Sequence, residues 1–378
     1  MTFFSLGFRP FFLLAGVGGF TMMLLWIITL STGYSWPGVA NIITWHRHEM
    51  LFGYTGAVIA GFLLTAVRNW TGKSTPDGKP LAALAIVWIA ARLVPLVSEQ
   101  QLLYVAVDML FWVGLFASLW HALITAVVRN RIFLLLVGLL GTAAALSHWS
   151  ILAPDNQHLS YVGAYLGLDI ILIIMLVMGG RVIPFFIQRG LQKAEQARIP
   201  WLEKGLPPLL VIMLATNLLL ANSLWSALIN FILGCWLLPN LWRWHDSAIW
   251  RKPLLWSLYL AYAWLVLGLF LRGGGALGWV SPYLGIHALT VGGIGLLTLS
   301  MMSRVALGHT GRALEPAGLT VLALVLMMLA AVVRVFLASS QGLLAYQISA
   351  VLWMLALLLF VIVYLPILIK PRPDGKAG

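Results

Sequence analysis

Charge is what this sequence has least of. Asp, Glu, Lys and Arg make up 9% of 378 positions, and only 11 residues are acidic. A chain dispersed by water carries roughly a quarter of its residues as charges, so this one must be solvated by lipid. Cysteine is nearly absent: Cys235 is the single one and lies in an apolar stretch. That excludes a disulfide within the chain and a thiolate metal site. Long polar connections are missing too. No loop between apolar runs exceeds about 17 residues, so no soluble domain is expected and residues 1–378 read as one transmembrane helical domain. A cleavable signal pattern is not seen at the start, where the first apolar run reads as the first span.

Hydrophobic residues fill 61% of the chain and the mean hydropathy is +0.97. A span needs about 20 apolar residues to cross roughly 30 Å of hydrocarbon. Runs of that kind predict an all-α protein of about twelve spans, near 9–31, 45–67, 81–98, 101–128, 132–153, 160–188, 206–221, 223–240, 253–271, 282–307, 316–338 and 344–369. The seventh and eighth are short and joined at Ala221-Asn222-Ser223, so a re-entrant hairpin is the alternative there.

Sidedness follows from Lys and Arg, which collect on the cytoplasmic side of membrane proteins. With the N-terminus inside, the inner segments hold Arg9, Arg68, Lys73, Lys79, Arg129, Arg131, Arg189, Lys193, Arg198, Lys204, Arg243, Arg251, Lys252, Arg304, Arg312, Lys370, Arg372 and Lys376. The outer side receives Arg47, Arg92, Arg272 and Arg334, while Arg181 falls within the sixth span. Eighteen against four predicts both termini in the cytoplasm. The net charge of +12 is thus a topological signal. It leaves no basic face for a nucleic acid, and none is expected as a partner.

Ionisable groups inside a span are costly and tend to face a bundle interior. Chain direction gives each a depth at about 1.5 Å per residue. His46, His48, His148, His158 and His287 gather at the outer face; His121, His245 and His309 belong to the inner side. Asp108 and Asp169 lie about 10 and about 14 Å below the outer surface. Each has an ordinary reading. His158 reads as an interfacial loop residue; His148, just inside its apolar run, is a candidate metal ligand. His46 and His48 point to nearly opposite faces of a helix and cannot easily share one ion. Asp108 and Asp169 either hydrogen-bond a neighbouring helix or receive an Arg, or else form a proton route.

One pattern repeats. His48 is followed by Gly53, Gly56 and Thr71-Gly72-Lys73; His287 is followed at the same offsets by Gly292, Gly295 and Thr310-Gly311-Arg312. Segments 45–73 and 284–312 therefore read as related helices. The glycines leave a bare patch below each histidine, where a flat ring or another helix could approach. Glycine-rich interfaces are common between membrane helices, and that is the plainer reading. The sharper one makes His48 and His287 axial ligands of a heme, with Arg47 or Arg272 pairing its propionates. Imidazole serves copper equally well, so spacing alone does not separate the two.

Gly7-Phe8-Arg9-Pro10-Phe11-Phe12, Trp45-His46-Arg47-His48-Glu49-Met50-Leu51-Phe52-Gly53, Gly61-Phe62-Leu63-Leu64-Thr65-Ala66-Val67, Asn69-Trp70-Thr71-Gly72, Gly180-Arg181-Val182-Ile183-Pro184, His287-Ala288-Leu289-Thr290 and Leu307-Gly308-His309-Thr310-Gly311-Arg312 together resemble the NnrS family. The resemblance implies a bacterial inner-membrane protein of twelve helices that contains heme b, one or two groups, and copper, and accompanies denitrification and nitric oxide defence. The family's histidine positions carry over onto His46, His48, His287 and His309.

The expected function is removal of nitric oxide by reduction to nitrous oxide, with electrons from quinol or a small outer-side carrier. Glu49 is the first candidate to relay protons, with Asp108 and Asp169 on an inner branch. Glu49 has a second reading as a carboxylate capping the start of the second helix. Two rivals stand beside the enzyme: a heme protein that only binds or senses nitric oxide, and a proton-coupled transporter using Asp108 and Asp169. Oligomeric state is not legible.

Overall fold

The computed structural model describes residues 2–153, 157–194 and 199–375. Arg198 and Lys376, counted above among the inner-side cations, lie outside them. The described residues hold no β-strand and twelve helices long and apolar enough to cross a membrane. They are α1 (Phe8–Thr32), α2 (Ile42–Thr71), α3 (Gly78–Val97), α4 (Gln101–Leu123), α5 (Val128–Ile151), α6 (His158–Leu191), α7 (Pro200–Leu219), α8 (Leu224–Trp244), α9 (Pro253–Ala276), α10 (Pro282–His309), α11 (Gly318–Gln341) and α12 (Leu343–Ile369). The all-α, twelve-helix expectation holds.

Helices α7 and α8 are both of spanning length, so the hairpin alternative falls away. The turn between them is sharp because Asn222 adopts a left-handed φ of 55° and Ser223 caps α8 by accepting from the Ser226 N–H. Proline opens α7, α9 and α10, where its missing N–H has no intrahelical partner to lose. Glycines at 72 and 311 adopt left-handed φ values of 68° and 69° just past α2 and α10, a conformation other residues resist.

Three helices widen along their length, which the apolar periodicity did not forecast. Glu49–Tyr54 in α2, Ala288–Gly295 in α10 and Val333–Leu337 in α11 are π-helical. A π turn accommodates an extra residue and is found disproportionately at functional sites.

The contacts divide the chain into two compact units. The first comprises residues 1–171, 304–314 and 357–378, and the second residues 172–303 and 315–356. In the first, α1 packs on α2, α3 on α4, and α4 on α5. Lipid gives no hydrophobic drive between helices, so close small-residue contacts do the packing. A Cβ at Gly61 would lie 2.9 Å from the Phe12 ring, and one at Gly19 would lie 2.6 Å from Tyr54. In the second unit, α8 packs on α7 and α9, and α9 on α10.

Arg9 is fully buried in the first unit. Its Nη1 donates to the Leu368 and Lys370 carbonyl oxygens at 2.7 and 2.9 Å. These lie at the C-terminal end of α12, where carbonyls lack helical partners and the helix dipole favours a cation. One side chain thereby fastens the first helix to the last. Hydrogen bonds to a charged group contribute about 1.5–3 kcal/mol each. Arg9→Met should therefore lower stability by about 3 kcal/mol, seen as a reduced thermal midpoint of the detergent-solubilised protein, with Arg9→Lys intermediate. An unchanged midpoint for Arg9→Met would refute the fastening role.

Candidate metal centre

The chemistry-bearing groups of the first unit converge on Asp108, a fully buried residue of α4. Its Oδ1 accepts from Arg92 Nη2 of α3. Its Oδ2 stands 3.2 Å from His48 Nε2 of α2 and 3.1 Å from His148 Nε2 of α5. Arg92 also pairs through Nε with Glu49 Oε2 at 2.8 Å, and the Tyr104 hydroxyl donates to Glu49 Oε1 at 2.7 Å. The two imidazoles lie 4.1 Å apart, centroid to centroid, and the Tyr104 ring meets His148 edge-on at 4.8 Å.

Local structure explains this convergence. Helix α2 starts at Ile42, where the Asn41 side chain accepts from the Ile43 and Thr44 N–H groups. Asn41 is thus the cap, and Glu49, two turns further on, is not. The π turn at Glu49–Tyr54 buries both His48 and Glu49, which are 3% and 0% exposed. It is held open from outside: the Trp88 indole N–H donates to the Gly53 carbonyl, and Thr55 Oγ1 to the Met50 carbonyl. Gly53 is required there, because a Cβ would come within 2.5 Å of Glu49 Oε2. In α5 the regular helix breaks at His148, and Ser160 Oγ of α6 takes up the Ser147 carbonyl.

One hydroxyl bears on the tautomer of His48. A serine hydroxyl has one proton. Ser147 Oγ lies 2.8 Å from the Ala144 carbonyl and 2.5 Å from His48 Nδ1; with its proton on the carbonyl, it accepts from Nδ1–H. A neutral His48 then turns the bare lone pair of Nε2 toward a carboxylate oxygen. Two acceptors at 3.2 Å repel unless a proton or a metal ion lies between them. Charge argues the same way: Arg92 is one cation facing two buried carboxylates, and one negative charge remains when both are ionised.

The donor set fits a metal ion. One atom each from His48, Asp108 and His148 all lie within 4.8 Å of one another. Ligands about 2.1 Å from a common ion stand roughly 3.0–3.4 Å apart, and the two His–Asp separations match that spacing. Two imidazoles and one carboxylate suit copper, iron or zinc. The hydrogen bond from His48 Nδ1 to Ser147 is the orienting second contact that ligating histidines usually make.

A porphyrin fits poorly at the places expected from the sequence. Asp108 fills the space in front of His48 Nε2. The glycine patches are occupied by neighbouring helices: Gly56 abuts Trp112, Gly292 abuts Trp264, and Gly295 abuts Trp353. The plainer reading of those glycines, as helix contacts, is the one realised. Histidine 287 belongs to the second unit, where its Nδ1–H donates to the Tyr283 carbonyl at 2.7 Å. His46 stacks on Trp26 at 4.2 Å and His309 lies beside Phe8 at 5.6 Å, so neither joins the Asp108 cluster. Arg47 covers the Tyr161 ring at 4.4 Å, and Arg272 of α9 has its backbone against Gly285 of α10. Asp169 is buried in α6 outside the His48–Asp108–His148 group.

Arg92, Tyr104 and Ser147 carry the cluster and were not singled out in the sequence. Arg92 counts among the outer-side cations, and it and Asp108 are opposite charges in consecutive spans, a recognisable signal of pairing. Ser147 had no signal beyond its place next to His148.

These features define a polytopic helical membrane protein with a buried histidine–carboxylate centre. Residues 2–372 match the family described as NnrS protein, and the chain belongs to that family. The NnrS family is linked to nitric oxide metabolism. No curated protein matches the chain.

Elemental analysis of the purified protein should find one transition-metal ion per chain that is lost in the His48→Ala, His148→Ala double variant. Ser147→Ala, which leaves all three ligands in place, should weaken metal affinity about 10–100-fold. Equal metal content in wild type and the double variant would dismiss this centre.

Proposed function

We propose that this protein removes nitric oxide at a metal centre held by His48, Asp108 and His148, converting two NO with two electrons and two protons to nitrous oxide and water. The observation that carries this reading is the convergence of two imidazole nitrogens and a carboxylate oxygen in a buried site. Nitric oxide is small and apolar and dissolves in the bilayer, so a site among helices meets it without a channel. A bound metal ion would supply a coordination position for NO and a route for electrons. The chain's own groups hold the ion, keep bulk water out and manage protons. Glu49 is placed to hold or release a proton, with Tyr104 donating to one oxygen and Arg92 pairing the other. Asp108 is committed to Arg92 and both imidazoles, which suits a ligand better than the carrier of a transporter.

The Lys and Arg distribution supports both termini inside and this centre in the outer half of the membrane. We place the protein in the bacterial cytoplasmic membrane, with quinol or a small carrier as reductant. The resemblance implies heme b and copper, and the donor set found here suits copper.

Reduced protein supplied anaerobically with NO should produce nitrous oxide, measured by gas chromatography. Glu49→Gln should slow steady production about 100-fold while the metal remains bound. Binding of NO without nitrous oxide production would leave the sensing role in place of the enzyme.

A further inference from the structure

The second unit repeats the plan of the metal centre with different chemistry. In α2 and α10 a π turn begins one residue after the histidine, at Glu49 and Ala288. Gly56 packs on Trp112 of α4, and Gly295, at the same offset, packs on Trp353 of α12. In α3 and α4, Arg92 precedes Tyr104 by twelve residues; in α11 and α12, Arg334 precedes Tyr346 by twelve. Arg334 lies over the Tyr346 ring at 4.2 Å from its centroid. The start of α10 packs on the 333–337 segment of α11, which brings His287 and Arg334 to one place.

What differs is the acid. At the registers of Glu49 and Asp108 the second unit has Ala288 and Ala350. No carboxylate among the described residues pairs with Arg334. His287 is also preset differently: its Nδ1–H is spent on the Tyr283 carbonyl, so Nε2 is a bare acceptor. An acceptor beside an uncompensated guanidinium does not suit a metal cation. It suits a ligand that donates one O–H to the imidazole and gains negative charge on oxygen near the arginine. The surroundings face lipid and are apolar: Tyr283, Phe336, Leu343 and Leu344 are 67%, 53%, 48% and 55% exposed.

We propose that His287, Arg334 and Tyr346 form a binding site for a hydroquinone of the membrane pool. This deepens the reading above, since it names the reductant. The hydroquinone gives up two protons and two electrons to become the quinone; two NO take up two of each to become nitrous oxide and water. His287 Nε2 accepts a phenolic proton, Arg334 stabilises the oxygen that loses it, and Tyr346 holds the guanidinium. A π turn starts directly after His287, and another contains Arg334.

Equilibrium binding of decylubiquinol to the purified full chain, without NO, tests the site independently of turnover. Wild type should bind, and His287→Gln and Arg334→Gln should each weaken binding at least tenfold while metal content at the His48 centre is unchanged. Tyr346→Phe removes one hydroxyl only and should weaken binding several-fold even if the Arg334 variant does not fold. Absence of binding by wild type, or equal binding by folded His287→Gln, would overturn the proposal. Failure of nitrous oxide production with intact hydroquinone binding would instead count against the enzyme and spare this site.

Discussion

The shared carboxylate of Asp108 is the constraint on which the centre depends. One oxygen answers a guanidinium and the other answers two imidazoles, so three helices are tied through a single residue of a fourth. A lone carboxylate at this depth would be costly, and so would Arg92 without its acids. Together they are tolerable, and removing one member of such a buried group typically costs about 3–5 kcal/mol. Stability and chemistry are therefore the same interaction. The arginine that makes the acid bearable also restricts it to one ligating oxygen.

The π turn in α2 is the second requirement. His48 and Glu49 are neighbours in sequence, and the π turn opens at Glu49. Both are buried there, and Gly53 leaves space for the carboxylate. The backbone carbonyls loosened by the wide turn are answered by Trp88 and Thr55. A distortion that would be a liability in lipid is thus stabilised by side chains chosen for it.

Much of this was legible in advance. Twelve spans follow from apolar run length, which lipid enforces directly, and the family follows from motifs such as Trp45–Gly53. His48, Asp108 and His148 were each legible as intramembrane polar groups. Their meeting was not, because it depends on which helix faces of α2, α4 and α5 turn toward one another. The π turns were hidden for a related reason: apolar periodicity is nearly featureless when every face is hydrophobic. Glu49 looked like a helix cap because the apolar run begins at residue 45. The true start at Ile42 is set by Asn41, a short polar side chain in a stretch that hydropathy treats as loop.

Arg9 has a consequence in time as well as space. It enters the membrane with the first helix, but its acceptor at Leu368 is 359 residues away in sequence. At roughly 5–20 residues per second, the ribosome needs on the order of 20–70 s to deliver that acceptor. Throughout that interval Arg9 lacks the two α12 carbonyls it finally binds. The nascent chain must shelter it by other means, at the headgroup boundary or beside an insertion factor. Closure of the first unit is thus among the last events of biogenesis, timed by synthesis of the twelfth helix.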